Sequence, residues 1–446
     1  MGRLPPAAPD SWRLEGSGTE TSNAQEGYPG LLVVGGGIAG VTAALEAAES
    51  GAEVYLVEKE PYLGGRVVRL ARYFPKLCPP ACGMEINFRR LKDNPRVHVL
   101  TMTEVEAISG QPGRYDVRLR RRPRFVTERC TACGECVAAC PAVRPDASNY
   151  GMSKTRAIYL GGELAHPLRY AIDEEYCLGE SCRRCEQACP YGAIDLVMQP
   201  ETLALQVGAV IWATGWRPYD ARAITNLAFG RYRNVVTNVM LERMAAADGP
   251  TAGHIVRPSD GRPARRVAFI QCAGSRDRLH LGYCSGVCCL ASLKEATYVL
   301  DQDPEAEVFV FYIDLRTPGT YEAFAQGVLA RTGMHAVKGK VADILCDEQS
   351  EDLTVIADDM VAGRMARTEV DLVVLATGMV PSLQDGAPSG VVLEEFGFAL
   401  SEEAKGGIFA AGCARAPVDV ATATLDATAA AMAALGVLEK SRSAAR

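Results

Sequence analysis

The chain has 446 residues, of which 48% are hydrophobic and 23% are charged, and such a composition is typical of globular domains. Its formal net charge of −7 argues against a nucleic-acid-binding surface. The sixteen cysteines fall into tight groups whose spacing suits metal ligands, which a disulfide framework does not need. Residues 1–28 lack the apolar segment of an export signal, and we predict that they form a disordered tail.

No segment of the sequence is both long and apolar enough to predict a membrane span. The nearest candidate, 418–438, is rich in alanine and contains Asp419 and Asp426. We therefore predict a cytoplasmic protein without a direct membrane span, so that any attachment to a membrane comes from another protein of the same complex.

Residues 31–58 carry every part of a dinucleotide-binding fingerprint: an apolar strand, a glycine-rich turn, a helix, a second strand and a terminal acid. Gly35 permits the tight turn, Gly37 lets backbone N–H groups approach a pyrophosphate, and Gly40 allows the helix to pack closely on the strand. The helix then points the positive end of its dipole at the phosphates. Glu58 ends the second strand, where a carboxylate can accept hydrogen bonds from ribose hydroxyls.

The segments that follow this fingerprint favour FAD over NAD. Leu63-Gly64-Gly65-Arg66 resembles the segment that runs beside the flavin in two-nucleotide flavoproteins of the glutathione reductase type. Two strands end in the same small-residue turn, at 213–215 and 376–378, and residues 407–412 resemble the strand that meets the ribityl chain. Most such flavoproteins have Asp next, whereas this chain has Cys413, so the ribityl contact lacks its usual residue. The residues predicted to bind FAD are Gly35, Gly37, Gly40, Glu58, Lys59, Gly65, Arg66, Ala213, Thr214, Gly215, Gly412 and Cys413.

Two ferredoxin-type cysteine runs, inserted into the flavin domain, are the most specific motif in the chain. The first has the spacing C-x2-C-x2-C-x3-C-P, and the second widens the first gap to four residues. In such runs three thiolates hold one 4Fe–4S cluster, and the cysteine before proline reaches the neighbouring cluster. We therefore predict one cluster on Cys130, Cys133, Cys136 and Cys189 and another on Cys177, Cys182, Cys185 and Cys140. Zinc on four thiolates is the alternative, although zinc sites normally use two separated pairs of cysteines.

A second Rossmann-like unit begins with a predicted strand at 265–271, but its turn has lost the phosphate-binding glycines. NAD(P)H binding at this turn is therefore disfavoured. Four cysteines occur there instead, and their number suits a third 4Fe–4S cluster close to the flavin: Cys272, Cys284, Cys288 and Cys289. Buried structural cysteines are the alternative. Lys294, on the helix that follows, can reach the flavin or be an ordinary surface lysine.

Together these motifs predict an α/β fold, namely a flavoprotein with two dinucleotide-binding domains of the thioredoxin/glutathione reductase type and an inserted two-cluster α+β ferredoxin module. The predicted parts are the tail at 1–28, the first part of the FAD domain at 29–122, the ferredoxin module at 123–200, the continuation of the FAD domain with a linker at 201–261, the second Rossmann-like domain with a cluster site in place of the NAD(P) site at 262–366, and the last part of the FAD domain with a C-terminal helix at 367–446.

Several segments resemble a known family. Residues 272–277 and 283–289 resemble HdrA, one of the subunits of heterodisulfide reductase. Residues 73–88 (YFPKLCPPACGMEINF) and 212–220 (WATGWRPYD) further resemble QmoA, its relative in the quinone-interacting membrane-bound oxidoreductase complex of sulfur-metabolising prokaryotes. The resemblance covers about residues 30–440. It implies electron transfer between a membrane quinone pool and adenylylsulfate reductase, and it implies that Lys294 lies near the flavin N5.

The same resemblance implies partners, namely a related flavin and iron–sulfur subunit and a quinone-reactive membrane subunit that holds the protein at the inner face of the membrane. An HdrA protein would carry further cluster domains at its ends, and their absence from this sequence favours the quinone-linked interpretation. The alternatives are an HdrA-like protein of cytoplasmic thiol or disulfide metabolism, with or without electron bifurcation, and a stand-alone NAD(P)H enzyme. Cys78 and Cys82 are equally compatible with cluster ligands, a redox thiol pair or packing, and Cys346 is interpreted as structural.

Overall fold

The structure is a computed structural model that describes residues 27–384, 386–401 and 406–444. The predicted disordered tail at 1–28 therefore lies outside the described residues, except for Gly27 and Tyr28. The N-terminal part contains β1 (Gly30–Val34), α1 (Ile38–Glu49), β2 (Glu53–Glu58), α2 (Ala81–Asp93), β3 (Val97–Thr101), β4 (Thr103–Gln111) and β5 (Arg114–Arg121). Every residue of β1 is buried, as expected for a parallel strand that is covered on both faces.

The ferredoxin module, residues 123–200, is made of two short helices and two small antiparallel ribbons. Its elements are α3 (Glu135–Ala139), β6 (Val143–Pro145), β7 (Lys154–Arg156), β8 (Ile158–Tyr159), β9 (Ala171–Ile172) and α4 (Arg184–Ala188). Its core contains apolar side chains such as Phe125 and Ile158 together with the buried thiols of Cys136, Cys140 and Cys185. So small an apolar core gains much of its organisation from the cysteines themselves.

The rest of the chain completes two Rossmann-like sheets. Its elements are β10 (Glu201–Val207), β11 (Ala209–Trp212), β12 (Trp216–Pro218), β13 (Val235–Thr237), α5 (Asn238–Ala245), β14 (Arg266–Ala273), α6 (Cys288–Gln302), β15 (Glu307–Tyr312), α7 (Tyr321–Leu329), β16 (Met334–Lys338), β17 (Val341–Cys346), β18 (Leu353–Asp359), β19 (Arg364–Val370), β20 (Leu372–Thr377), β21 (Met379–Pro381), β22 (Ile408–Ala410) and α8 (Val420–Ala444).

The first sheet is parallel and has the strand order β22-β11-β1-β2-β3. A separate antiparallel sheet, β10-β5-β4, lies beside it. The ferredoxin module leaves the chain after β5 and returns at β10, and these two strands pair directly, with Arg121 opposite Glu201. The insertion therefore occupies the end of the paired strands β5 and β10 of this antiparallel sheet, where it leaves the parallel sheet undisturbed.

The second sheet is also parallel, with the order β13-β20-β14-β15-β16, and an antiparallel sheet, β17-β18-β19, extends it. This order corrects two predicted boundaries, because β13 and β20 had been assigned from sequence to the FAD domain. The error has a physical cause. Both sheets contain a buried strand that ends in the same small-residue turn, and the FAD sheet already has one in β11. The ribbon β12-β21, which follows these two turns, joins the domains.

One helix among the described residues, Val420–Ser443, is long and apolar enough to cross a membrane by length and composition, with a mean hydropathy of 1.5. By this measure the prediction that no segment is long and apolar enough is wrong for the candidate at 418–438. In this structure an alanine-rich face of α8 packs into the core of the FAD domain, which also includes α1. The buried residues of that face are Ala427, Ala430, Ala431, Ala434 and Leu438.

We predict that Gly40→Ala destabilises the FAD domain. A Cβ atom at position 40 would lie 1.7 Å from the carbonyl oxygen of Gly35, so α1 would have to move away from β1. The expected loss is about 1–3 kcal/mol in the free energy of unfolding, with loss of bound flavin, measured by urea denaturation and flavin absorbance. Gly83→Ala is the matched control, because nothing lies within 4 Å of its Cβ position. Equal stability of the two variants would contradict the prediction.

Candidate flavin and cluster sites

A cavity of about 480 Å³ lies where the two Rossmann-like domains meet, and we call it the central cavity. The carboxyl ends of β1, β2 and β11 line one side of it, and the end of β20 with the first turns of α5 and α6 lines the other. All predicted FAD-binding residues except Gly40 and Gly412 line this cavity. The fold therefore brings together, in one concave site, residues that are spread over most of the sequence.

Gly40 and Gly412 act at the edge of the site by allowing close packing. Gly40 lets α1 approach the Gly35 carbonyl, as described above. Gly412 has φ +60 and lies where a Cβ atom would be 2.9 Å from the Cβ of Ala39, at the start of α1. Both glycines thus fix α1 relative to the strands whose ends form the cavity.

The lining of the central cavity fits a dinucleotide. Gly215, with φ +68, has nothing within 4 Å of its Cβ position, and the Cβ position of Gly37 meets only Gly65, at 3.9 Å, so both leave room for a ligand. The hydroxyl oxygen of Thr214 is buried and has no hydrogen-bond partner among the described residues. A polar ligand in the cavity would supply that partner, as buried polar groups require.

Glu58 ends β2 as predicted and lines the cavity. Its Oε2 accepts a hydrogen bond from the Gly36 N–H at 2.6 Å, and its Oε1 accepts one from the Glu60 N–H at 2.8 Å. Burial raises the pKa of this carboxyl, although both backbone bonds oppose that effect. The carboxylate therefore ties the glycine turn to the tip of β2 and presents acceptor oxygens beside the cavity.

Arg66 connects the central cavity with the ferredoxin module. Its guanidinium lies 4.9 Å from the centre of the Trp216 ring, and its Nε donates to the Trp216 carbonyl at 2.6 Å. A second nitrogen donates to the hydroxyl of Tyr150, in the ferredoxin module, at 2.9 Å. Nearby, Arg243 of α5 is buried and donates to the side-chain oxygen of Asn149 at 2.9 Å. Two arginines, Arg66 of the flavin domain and Arg243 of the second Rossmann-like domain, thus hold one turn of the module in place.

Lys294 is buried and lines the central cavity, so the surface alternative is wrong. Its Nζ lies 2.6 Å from Oε1 of Glu242 and donates to the carbonyl of Arg72 at 2.9 Å. Glu242 and Glu295 also line the cavity, and the sequence analysis missed both. One signal was available: Lys294 and Glu295 interrupt the apolar pattern of a helix whose residues 292–300 are all buried.

The ferredoxin cysteines form two neighbourhoods. Burial raises the pKa of the Cys136 thiol to about 12, and Cys130, Cys189 and Cys133 add to the shift. Burial likewise raises the pKa of the Cys185 thiol to about 11, with contributions from Cys177 and Cys140. In each case one of the contributing thiols belongs to the cysteine that precedes proline in the other run, namely Cys189 for Cys136 and Cys140 for Cys185. This grouping is the one expected for crossed ligation. Cys182 follows the turn Gly179–Ser181 in the same loop as Cys177.

Backbone N–H groups donate to four of the predicted ligand sulfurs. The donors and acceptors are Ala132 to Cys130 and Gly179 to Cys177, both at 3.4 Å, and Ala193 to Cys189 and Gly286 to Cys284, both at 3.3 Å. Such bonds stabilise thiolates, and they are among the means by which proteins adjust cluster potentials. The same local geometry therefore recurs in the ferredoxin module and in the second Rossmann-like domain.

The four cysteines of the second Rossmann-like domain also lie together, and we call them the third cysteine set. Cys272 lies at a register shift in β14, with φ 57, a backbone conformation that non-glycine residues rarely adopt. Burial raises the pKa of Cys288, and Cys289, Cys272 and Cys284 raise it further, so all three thiols are its neighbours. Cys288 starts α6 and lines the central cavity.

Among the described residues, no group of three or more His, Cys, Asp or Glu side chains has the geometry of a site for a single metal ion. The ligands of a 4Fe–4S cluster do not converge on one metal position, because each thiolate binds a separate iron at a corner of the cluster. The cluster assignment accordingly depends on spacing, on the mutual influence of the thiols and on the N–H to sulfur bonds.

The remaining cysteines lie in three places. Cys78 and Cys82 flank the start of α2, and both thiols add to the effect of burial in raising the pKa of Tyr73 to about 12, so they lie near the same ring. Cys346 is the last residue of β17. Cys413 lines the central cavity, and its Sγ donates to the carbonyl of Val418 at 3.3 Å. Burial raises the pKa of the Cys413 thiol to about 11.

Comparison with known proteins agrees with these sites. Residues 30–77 match the family described as FAD dependent oxidoreductase, and residues 123–143 match the 4Fe-4S binding domain. The iron–sulfur HdrA subunit of the CoB–CoM heterodisulfide reductase of Methanocaldococcus jannaschii is 40% identical over 356 residues, which cover 78% of this chain and 53% of the relative. The HdrA subunit of the H2:CoB–CoM heterodisulfide,ferredoxin reductase of Methanothermobacter marburgensis is 35% identical over 416 residues, which cover 90% of this chain and 62% of the relative. The chain is a homologue of HdrA.

This HdrA homologue spans about half to three-fifths of the length of those two relatives. Among solved structures, the thioredoxin reductase of Lactococcus lactis aligns over 93% of this chain and 99% of its own, with a TM-score of 0.50 at 14% identity. At that identity the likeness shows the fold alone. It confirms the predicted fold class, a thioredoxin-reductase-like flavoprotein with an inserted ferredoxin module.

The comparisons also confirm an oxidoreductase that uses FAD and 4Fe–4S clusters. The number of clusters and the ligand assignments stay predictions. The two relatives named above are subunits of heterodisulfide reductases, so the comparisons favour the alternative function over the main one. They do not support the predicted link to a quinone pool and adenylylsulfate reductase.

We predict that Cys136→Ser lowers the iron content by about four atoms per chain, because a buried ligand is lost from one cluster. Cys346→Ser is the control, since Cys346 belongs to none of the predicted cluster sets. Iron analysis and EPR spectra of anaerobically purified protein would measure the difference. An unchanged iron content in Cys136→Ser, or an equal loss in both variants, would contradict the assignment.

Proposed function

We propose that the chain is an HdrA-like electron-transfer protein, with FAD in the central cavity and one 4Fe–4S cluster on each of the three cysteine sets. One observation carries this proposal: Cys288 of the third cysteine set lines the same cavity as Gly37 and Lys294. A cluster held there would adjoin the flavin site, which suits direct electron transfer between the two cofactors.

Bound FAD would exchange two electrons, and each cluster would exchange one. The chain's own residues supply position and charge. The turn at Gly35–Gly37 and the amino end of α1 would hold the pyrophosphate, and Glu58 would accept from ribose hydroxyls. Lys294 places a buried cation in the wall of the cavity, where the low dielectric strengthens its effect on charge. The N–H to sulfur bonds hold the cluster thiolates.

Electron entry through a pyridine nucleotide is not part of the proposal. In the second Rossmann-like domain, the third cysteine set lies at the junction of β14 and α6, with Cys272 in a left-handed conformation, where a nucleotide-binding domain has its glycine turn. Electrons would therefore enter and leave through clusters and partner proteins. The two clusters of the ferredoxin module, whose Tyr150 contacts Arg66, provide the route to a partner.

The class of reaction follows from the relatives. Their names describe the reduction of a CoB–CoM heterodisulfide, and several add ferredoxin as an electron carrier. We propose that this chain works with partner subunits in cytoplasmic thiol or disulfide redox metabolism. The resemblance of the segments 73–88 and 212–220 supports the quinone-linked function in sulfur metabolism, but the comparisons favour the heterodisulfide reductase function over it.

The composition and reductant of the purified protein would test this proposal. We expect one FAD and about twelve iron atoms per chain after anaerobic purification, since each cluster contains four. Reduced ferredoxin should bleach the flavin, whereas NADPH should not, because the second domain lacks the glycine turn. Four iron atoms or fewer with bound zinc would contradict the cluster assignment, and rapid bleaching by NADPH would favour a stand-alone NAD(P)H enzyme.

A second measurement distinguishes the two partner classes. The chain, purified with its native partners, is mixed with reduced ferredoxin and either a thiol disulfide or a soluble quinone, and the oxidation of ferredoxin is followed. Faster oxidation with the disulfide supports the proposal. Faster oxidation with the quinone supports the membrane-linked function.

A further inference from the structure

Two carboxyl groups and one ammonium group are buried side by side in the wall of the central cavity. Glu242 projects from α5, and Lys294 and Glu295 project from α6; their exposures are 3%, 2% and 1%. All three line the cavity. Groups of this kind are rarely buried unless each charge is compensated, so the arrangement requires an explanation.

Glu242 has partners that suit a carboxylate. Its Oε1 lies 2.6 Å from Nζ of Lys294, and its Oε2 accepts from the Ala71 N–H at 2.9 Å and from the Tyr298 hydroxyl at 3.5 Å. A cation and two donors thus converge on one carboxyl group. This environment compensates the negative charge of Glu242 and the positive charge of Lys294.

Glu295 has no comparable donors. Its Oε2 is buried and accepts no hydrogen bond from any described residue, and its nearest charged groups are Glu242 and Lys294. Of the other titratable groups around this pair, Tyr298 lies on the same helix, and Arg72 lies 5.9 Å from the Tyr298 ring. Burial and the charge of Glu242 raise the pKa of Glu295 well above its usual range, and the charge of Lys294 opposes the shift. Glu295 therefore holds its proton to a higher pH than an ordinary carboxyl group does.

We propose that Glu295 is a proton store for the flavin site and that its proton reaches the cavity through Glu242 and Lys294. The proposal rests on the function proposed above. Two-electron reduction of a flavin consumes at least one proton. In the proposed transfer Lys294 would give an N–H proton to the flavin, Glu295 would give its proton to the Glu242 carboxylate, and Glu242 would pass that proton to the neutral amine of Lys294. One O–H bond is lost at Glu295, one bond to hydrogen forms in the cavity, and the electrons come from the adjacent cluster.

The ion pair between Lys294 and Glu242 does not explain why Glu295 is buried beside it. Lys294 and Glu242 would compensate each other without Glu295, and an apolar side chain at position 295 would avoid burying a carboxyl group. A protonated acid next to the pair adds what the pair lacks, which is a transferable proton that does not have to enter from solvent during the reaction. Glu295 is in this sense a positioning and proton-supplying group behind Lys294.

The test compares Glu295→Gln with wild type, because glutamine keeps the shape and a donor but cannot release a proton. In an infrared difference spectrum of flavin reduction, wild type should lose a carboxylic acid band that is missing in Glu295→Gln. Proton uptake from solvent, measured with an indicator dye, should be about one proton per flavin smaller in wild type than in the variant. Glu305→Gln, at an exposed position after α6, should behave like wild type.

The pH dependence of stability, which can be measured without flavin chemistry, tests the direction of the pKa shift. Because the native pKa of Glu295 is raised, the folded chain keeps a proton that the unfolded chain releases above the ordinary carboxyl pKa. The free energy of unfolding of wild type should therefore fall, relative to Glu295→Gln, as pH rises from about 5 to about 8. Tm measured across that range gives the difference, and Glu305→Gln should show no such trend.

Wild type labelled with 13C-glutamate gives an answer even if Glu295→Gln does not fold, because the isotope shifts the carboxylic acid band. A shifted band that disappears on reduction supports the proton store. A flavin that is reduced without any change in a carboxylic acid band overturns it and leaves the proposed function intact. Purified protein without flavin would instead overturn the proposed function.

Discussion

The start of α6 at the wall of the central cavity is the constraint on which the site depends. Its first residue, Cys288, belongs to the third cysteine set and lines the central cavity, and its second turn brings Lys294 and Glu295 to the same wall. A helix rises by about 1.5 Å per residue, so six residues place the lysine about 9 Å along the axis from the first cysteine. A single rigid element therefore fixes the distance between the thiols and the buried cation. The helix itself is buried over most of its length, which prevents that distance from varying.

Helix α5 has a similar role beside α6 on the same wall. Two consecutive residues of α5 contact different parts of the protein. Glu242 forms an ion pair with Lys294 at the cavity, and Arg243 donates a hydrogen bond to Asn149 in the ferredoxin module. Arg66 makes a second bond across the same boundary, to Tyr150. Consecutive helical residues point in directions about 100° apart, so one helix can contact both partners at once. The module is thus held by buried polar contacts as well as by the paired strands β5 and β10 from which it emerges.

The sequence predicted those parts of the structure whose determinants are local. The turn at Gly35–Gly40 and the two ferredoxin runs have fixed spacings, because one turn or one loop must place several groups around one ligand. The assignment of β20 failed for a different reason: a buried strand followed by a small-residue turn looks the same in either sheet, and only pairing with β13 and β14 decides between them. Glu242 and Glu295 were missed because their relation exists only after α5 has packed against α6. Their proximity is a property of tertiary structure.

Charge explains why a cation and a proton source should be buried at such a site. The third cysteine set would contribute four thiolates to a cluster beside the cavity, and each electron added there raises the negative charge in a region of low dielectric. Lys294 offsets part of that charge, but Glu242 already neutralises it at 2.6 Å. The pair is therefore close to neutral before any electron arrives. Only the movement of a proton into the cavity changes that balance, because it leaves a new carboxylate at Glu295, beside the ion pair. The carboxyl of Glu295 occupies the position that such a compensation requires.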